Sequence, residues 1–529
     1  MFNRVKLHKC FAVLNKNILN QVNWAKFCHY LALFGILFGV LVRTVQYLNN
    51  RSLWGDELSL VINILDRSYG ELAQTLDYNQ SAPLGFLWIE KLATQLWGNS
   101  EYALRLLPFI ASIISLGVFY ALVRQYSSTW AAPIAIALFA CTRYTVYFST
   151  ELKPYSGDVA IALILFWLIA KTQQRILTVK EMLVFAGLGS LAIWFSYPSV
   201  LVMAGMEGWN LFITPRRSWG KIILNRLGVY LIWLINFGLF YLINIADAVN
   251  NENLSSSWAG RYPDSFVDIV WLFDVLAKFF YHPMGFLGIT DGIGIFAFIV
   301  GCIAWYRRNQ TLFFALIAPF VANIIAAYLH QYPFQDRLTL FLAPFGMMIV
   351  AEGIVFMLSY IKKLDQGDNS RVARLMGILG IISPAALTIP PIYQASNSLV
   401  KPVLKQEVKP VLAYVVEQNQ PGDKVYVYAE GNLAFTYYMK LKKYNNLDYT
   451  LGTVNFDSDE PKQDLQQDLG KELQPLRGRR VWFILRANSE KESEIIEYLE
   501  RIGQKRDSFQ QTGASAYLYL LGSSISKMS

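Results

Sequence analysis

Eleven apolar stretches recur through the first four hundred residues, each close to the ~20 residues that a helix needs to cross a bilayer. They lie near 28–48, 104–124, 130–148, 155–171, 181–196, 198–213, 227–246, 285–306, 311–329, 338–360 and 373–393. In hydrocarbon no water can satisfy a free backbone N–H or C=O, so segments of this kind must close their hydrogen bonds internally, as helices do. The sequence therefore predicts a polytopic α-helical membrane protein of about 11 spans. The fifth and sixth stretches are short and meet at Tyr197-Pro198, which suits a hairpin.

Charge separates this body from the C-terminal tail. Only 16% of the 529 residues are charged, against about 25% in a typical soluble domain. Residues 400–529 nevertheless carry 35 of the 85 charged side chains. The expected domains are thus 1–399, a transmembrane body, and 400–529, a soluble unit. The net charge of +9 is no signal for nucleic acid, because the tail's 18 basic and 17 acidic residues nearly cancel. The surplus lies in the membrane body, where short basic loops mark the cytoplasmic side. With the N-terminus inside, inner segments carry nineteen Lys and Arg and outer loops seven. An odd span count then puts the tail outside, in the periplasm of a bacterium or the lumen of an organelle, and the expected location is a bacterial inner membrane. The first apolar stretch lacks a small-residue cleavage site and reads as an anchor. The four cysteines and four histidines are scattered without metal-ligand spacing.

Two outer loops are long. In the first, 49–103, Leu58, Val61, Ile62 and Leu65 fall at helical spacing. Pro83 then opens a run with Leu84, Leu87, Trp88 and Leu92 on one face. Both stretches are expected as amphipathic helices on the membrane surface. The second loop, 247–284, is rich in Asn, Ser and aromatic residues and is expected as a lid. The tail is expected to begin after Pro390-Pro391. Helical patterns at 405–419 and 490–504 alternate with strand patterns at 424–430, 481–485 and 516–521, which predicts a small α/β domain. It has no GxGxxG and no P-loop, so a binding or positioning role is expected.

Three outer segments carry ionisable side chains. Trp54-Gly55-Asp56-Glu57 puts adjacent carboxylates at the start of the first amphipathic stretch. Such acids complement a helix dipole, or one acts as a general base toward an incoming hydroxyl or amine. The second segment, Phe148 to Ser156, holds Glu151 and Lys153 between two apolar spans, with Asp158 just inside the next. The pair reads either as a solvated turn or as part of a site, while an acid within a span is a functional candidate. The third, Tyr332-Pro333-Phe334-Gln335-Asp336-Arg337, sets an Arg at the outer mouth of a span. Its planar fork suits phosphate oxygens, or it snorkels to the interface.

In order and spacing these segments resemble the GT-C superfamily, in the branch of protein O-mannosyltransferases and lipid A aminoarabinose transferases. The likeness covers most of residues 27–360 and rests on Asp56-Glu57, on Ala82-Pro83-Leu84, and on Glu101 to Pro108 leading into the second span. It rests also on Ser149 to Tyr155, similar to the relatives' Ser-Gln-Glu-x-Arg-x-Tyr, and on Tyr332 to Arg337, similar to Tyr-Pro-Phe-x-x-Arg. The sequence departs from the pattern at Ala82, at Lys153 in place of an Arg, and at Asn79 and Gln80, where some relatives place an acid.

The resemblance implies transfer of a hexosyl or pentosyl group from a polyprenyl-phosphate sugar to a glycan, lipid or protein acceptor outside the membrane. It implies Asp56 as the catalytic base, with Glu57 beside it, and Glu151 as a second acid or partial ligand for a divalent metal ion. Lys153, Tyr155 and Arg337, with Asn79 and Gln80, are the implied substrate-binding residues. Two other readings stay open: a transporter of lipid-linked sugars, and a ligase or polymerase of lipid-linked glycans. Acids at the outer ends of spans and the lack of an internal repeat speak against the transporter.

Overall fold

The computed structural model describes residues 23–246, 260–366, 370–442, 447–454, 462–486 and 490–523. The chain divides into two compact units. The larger comprises the residues up to Tyr47, Ala82–Phe86 and Leu106–Lys401. The smaller comprises Leu48–Ser81, Leu87–Arg105 and Pro402–Ser529. Most of the first outer loop, which the charge pattern groups with the spans, thus clusters with the tail.

All eleven apolar stretches are helical. In chain order the helices of the first part are α1 (Trp24–Leu48), α2 (Gly55–Asp66), α3 (Leu84–Trp97), α4 (Leu106–Tyr126), α5 (Ala131–Cys141), α6 (Arg143–Tyr147) and α7 (Tyr155–Lys171). They continue as α8 (Val179–Phe195), α9 (Ser199–Ile213), α10 (Arg216–Phe240), α11 (Ile269–Tyr281), α12 (Ile289–Arg308), α13 (Gln310–Tyr328), α14 (Ala343–Asp365) and α15 (Arg371–Ser398). Among the described residues seven helices are long and apolar enough to cross a membrane, and α5 with α6 makes an eighth, bent by 53°. Helices α7, α8 and α9 are shorter, at 17, 17 and 15 residues.

Close approach in the larger unit depends on small residues. A Cβ at Gly301 would stand 1.9 Å from the Ile349 carbonyl oxygen, and one at Gly353 would stand 1.9 Å from that of Ala297. Backbone-to-backbone packing of α12 on α14 needs glycine at both places. Two intramembrane charges find partners locally. Arg43 donates to the carbonyls of Gly39, Ala140 and Phe139, covering the C-terminal end of α5 where the span bends. Arg226 pairs with Glu207 at 2.6 Å, and the second Glu207 oxygen accepts from Tyr230 and Asn210. Buried charges persist in apolar surroundings only when paired in this way.

The tail does not begin at Pro390-Pro391. Helix α15 runs through both prolines, and through Pro384, to Ser398. Helices within a bundle tolerate proline because neighbours re-satisfy the freed carbonyls.

The smaller unit holds α2, most of α3 and the tail. In α2 the buried face is Glu57, Leu58, Leu60, Val61, Asn63 and Ile64. Ile62 and Leu65 are only half-buried, so the inward face is turned from the one expected. In α3, Leu84 and Leu87 are buried, while Trp88, Ile89, Leu92, Leu96 and Trp97 form an exposed apolar stripe. An exposed stripe with Trp at both ends suits a helix lying in a membrane interface.

The tail is an α/β domain with α16 (Val408–Gln418), α17 (Asn432–Lys442), α18 (Lys462–Leu473) and α19 (Glu490–Ile502). Its strands are β1 (Lys424–Val427), β2 (Tyr449–Leu451), β3 (Arg480–Leu485), β4 (Gly503–Gln511) and β5 (Ala514–Leu521), in sheet order β2-β1-β3-β5-β4. β1 pairs in parallel with β2 and β3, while β5 pairs antiparallel with β3 and β4. Tyr426, Phe483, Tyr517 and Tyr519 pack with Leu469, Leu473 and Leu499 in its core. The sequence reading missed both edge strands. β2 has three exposed residues, and β4 is largely polar, as an edge strand exposed on one side should be.

Candidate functional site

The first outer loop turns into α2 at Trp54, whose backbone is extended (φ −101°, ψ 170°) and whose side chain makes no capping hydrogen bond. Glu57, in the first helical turn, reaches back to accept weakly from the Trp54 N–H at 3.4 Å. It is completely buried. Arg105 grips it in a fork, Nε to Oε1 at 2.9 Å and Nη2 to Oε2 at 2.6 Å. The same guanidinium donates to the carbonyls of Arg51 (2.6 Å) and Ser52 (3.1 Å). Glu57 is therefore tied into the loop through Arg105. Neighbouring helical residues point about 100° apart, and Asp56 is half-exposed.

Asn79 and Gln80 lie further along the same loop. Tyr78 and Asn79 both have positive φ (59° and 52°), Asn79 is exposed, and Gln80 Nε2 donates to the Tyr78 carbonyl. Asn63 of α2 fixes this turn by exchanging hydrogen bonds with the backbone of Asp77.

A buried acid in α3 escaped the sequence reading. Glu90 is fully buried, and neither carboxylate oxygen has a hydrogen-bond partner among the described residues. Burial holds its carboxyl well above the usual carboxylate range. The only sequence signal is an acid three residues after Leu87, on the inward face of an amphipathic helix.

In the larger unit the second segment is no solvated turn. Ser149, Thr150, Glu151, Lys153, Tyr155, Ser156 and Asp158 are all buried. A short turn at Phe148–Thr150 follows α6, and Pro154 caps α7. Ser149 and Ser156 donate to the Val146 and Phe148 carbonyls, which locks the turn on both sides. Glu151 and Lys153 thus sit in a constrained, poorly hydrated place, which is expensive unless it serves a purpose.

The third segment comes to the second. The Arg337 guanidinium carbon lies 5.6 Å from the centre of the Tyr155 ring, and Tyr155 meets Phe148 edge-on at 5.1 Å. Two expected donor-binding residues, 182 positions apart, are therefore neighbours. Beside them stands a group that sequence reasoning missed. Asp336, at φ 48°, lies 3.9 Å from Arg261 and 4.0 Å from His282 Nδ1. The His282 ring packs 3.8 Å from that of Tyr144. The imidazole is held down at about 4: burial lowers it most, Asp336 pulls it up, and the guanidiniums of Arg143 and Arg337 lower it again. Arg143, Arg261 and His282 come from three separate segments outside the motifs, so no local pattern announces them. The expected lid at 247–284 is described only from residue 260, and its portion at 247–259 lies outside the described residues.

Among the described residues no three His, Cys, Asp or Glu side chains come together to hold a metal ion.

Residues 81–241 match the family model described as Dolichyl-phosphate-mannose-protein mannosyltransferase. The structure is similar to ArnT from Cupriavidus metallidurans in the apo state, with TM-score 0.51 and 10% identity over 91% of this chain and 97% of that one. The chain has the GT-C fold. ArnT bound to Undecaprenyl phosphate matches with TM-score 0.50, 10% identity and the same coverage. The archaeal oligosaccharyltransferase AglB from Archaeoglobus fulgidus, in complex with an inhibitory peptide and a dolichol-phosphate, matches with TM-score 0.51 and 12% identity over 93% of this chain and 74% of that one. Comparison with curated protein sequences gives no significant match. At such low identity the GT-C likeness is one of fold, as the order of the three outer segments led us to expect.

Proposed function

We propose that the protein is a glycosyltransferase that moves a sugar from a polyprenyl-phosphate donor to an acceptor at the outer face of the membrane. The observation that carries this reading is the buried Glu151–Asp158 segment with Arg337 set over Tyr155. A transmembrane body that buries a Lys and two acids at a span end, and brings an Arg to them, is built for a charged headgroup on a lipid. Undecaprenyl phosphate and a dolichol-phosphate, each bound to one of the fold relatives, belong to that chemical class.

In this reading Arg337 and Lys153 bind the donor phosphate, Tyr155 seats Arg337, and Arg143 and Arg261 add positive potential. The bond from the sugar C1 to the phosphate oxygen breaks, and the phosphate leaves with the electron pair. Fixed positive groups stabilise the charge that develops on it. The acceptor hydroxyl or amine attacks C1 from the opposite face as Asp56 takes its proton. A single displacement inverts the anomeric centre. Glu151 assists as a second acid near the donor, and Asn79 and Gln80 contact substrate from the first loop. The sugar is a hexose or pentose, and the acceptor a glycan, lipid or protein. We place the protein in a bacterial inner membrane, with residues 1–399 as the catalytic body and 400–529 on the outer side.

The test is donor consumption. Purified protein in detergent is incubated with a panel of polyprenyl-phosphate sugars and followed by mass spectrometry. Release of free polyprenyl phosphate from one donor, dependent on an acceptor, is the expected result. Retention of every donor intact while the protein moves such lipids between leaflets of vesicles would favour a transporter instead.

A further inference from the structure

The residues leading to Asp56 have no regular secondary structure, yet they are buried. Arg51, Ser52 and Leu53 are all nearly inaccessible. Buried backbone groups must find partners, and here those partners come largely from one short stretch of the tail. Ser52 donates from its N–H to Glu407 Oε1 at 3.1 Å and from its hydroxyl to Oε2 at 3.0 Å. Lys409 donates from its N–H to the Ser52 hydroxyl and from its ammonium to the Asn50 carbonyl. Arg51 donates to the Val403 carbonyl. The Gly55 N–H, one of the donors that a helix leaves unpaired at its start, goes to Gln406 Oε1 at 3.2 Å. Lys405 sets its ammonium 3.5 Å from the centre of the Trp54 ring. Leu53 donates to the Tyr438 hydroxyl at 2.6 Å. From Asn50 to Gly55, every residue is held by the tail.

The holding segment is itself fixed to the sheet. Glu407 donates its N–H to the Thr512 carbonyl, in the turn between β4 and β5. Gly513 comes next at φ 70°, where a Cβ would stand 2.1 Å from the Lys405 carbonyl oxygen. The turn, the 403–409 segment and the Asp56 loop form a relay of direct contacts within one compact unit.

We propose that residues 403–409 of the soluble domain act as a positioning clamp that sets Asp56 at the head of α2, with Gln406 and Glu407 as its positioning residues. This rests on the reading of Asp56 as the base. The domain then contributes to turnover by fixing the angle of a carboxylate, and not by binding substrate. Gln406 supplies the N-terminal cap that Trp54 lacks, one residue from Asp56. Glu407 fixes the chain three residues further back. Displacing a positioned base by about 1 Å costs on the order of 100-fold in rate.

The test measures three things in full-length protein carrying Gln406→Ala, Glu407→Ala or Glu407→Gln: turnover, donor KM, and amide hydrogen exchange across 50–57. Gln406→Ala removes one hydrogen bond and leaves the buried charges in place, so it folds even if Glu407→Ala does not. The clamp predicts that Gln406→Ala and Glu407→Ala speed exchange at Ser52, Leu53 and Gly55. It also predicts that kcat falls about 10- to 100-fold, that donor KM stays within about twofold, and that the acid limb of the kcat profile shifts. Glu407→Gln, which still accepts from Ser52, recovers most of the rate. Loss of active protein alone would lower kcat without moving the pH limb, and that result overturns the clamp. Faster exchange with unchanged turnover, in a protein that Asp56→Asn inactivates, overturns it too and leaves the base assignment standing. Full turnover in Asp56→Asn removes the base assignment itself, and the clamp with it.

Discussion

Arg105 closes a two-pronged ion pair on Glu57 while its remaining donors hold the carbonyls of Arg51 and Ser52. One guanidinium therefore ties a helix start to the loop that precedes it. Of the two adjacent acids, Glu57 is buried in that ion pair and Asp56 is half-exposed; in the function proposed above, the first builds the loop and the second takes the proton.

Glu57→Gln should accordingly be a stability variant. Removing one charge of a buried pair strands the other, at a cost of about 3–5 kcal/mol. Thermal unfolding in detergent should fall by many degrees, and Arg105→Leu with Glu57→Leu together should recover part of the loss. If Glu57→Gln keeps its thermal stability and loses turnover, the assignment of roles is reversed.

Arg337 should govern donor affinity. Arg337→Ala removes charge-assisted contacts of about 1.5–3 kcal/mol, so donor binding should weaken by roughly 10- to 100-fold. Arg337→Lys should recover little, because a point charge lacks the planar fork. Tyr155→Leu, which takes away the ring under the guanidinium, should produce a smaller loss in the same direction. Binding is read with a lipid-phosphate analogue by scintillation proximity. Unaltered affinity in Arg337→Ala would place the phosphate elsewhere.

Much of this site is legible in the amino-acid sequence, and the reason is physical. Acids and bases are rare in spans, so Glu151, Lys153, Asp158 and Arg337 stand out against an apolar background. The direction in which Glu57 points could not be read, because its partner Arg105 lies 48 positions away at the foot of another helix. Arg143, Arg261 and His282 were hidden for the same reason: each is ordinary in its own segment, and only packing brings Arg261 and His282 to Asp336 and Arg143 to His282. In the tail, β3 and β5 announced themselves as apolar runs. β4 did not, since Gly503–Gln511 is a polar edge whose strand character comes from pairing with β5. The 403–409 clamp was likewise invisible, being built of contacts over some 350 positions.

His282 should remain neutral well below the usual histidine range. Its folded value of about 4 lies below the ordinary 6.5, so the unfolded chain takes up the proton first. The stability this neutral imidazole contributes is present above pH 6.5 and is lost as pH falls from 6.5 toward 4. Nitrogen NMR of histidine-labelled protein should show one ring that does not titrate between pH 5 and 7. Arg143→Gln should move its midpoint up, and Asp336→Asn should move it down. A midpoint near 6.5 in the native protein would contradict the burial described.

Glu90 makes the opposite case. Its folded carboxyl titrates above its unfolded value, so the folded state holds the proton more tightly, and stability falls as pH rises above the ordinary carboxylate range. Glu90→Gln should therefore raise the melting temperature at pH 8 and change it little at pH 4. Equal melting temperatures for the two proteins at pH 8 would mean that Glu90 has a charged partner after all.

The central claim is that Asp56 is the base in transfer from a polyprenyl-phosphate sugar. The direct measurement is single-turnover donor consumption by Asp56→Asn, with the protein first shown to fold and to bind donor as the unaltered chain does. Asn caps a helix about as well as Asp, so stability should be nearly unchanged. The account predicts a fall in rate of about 10²- to 10⁴-fold at undiminished donor affinity. An Asp56→Asn protein that consumes donor at the full rate would contradict it.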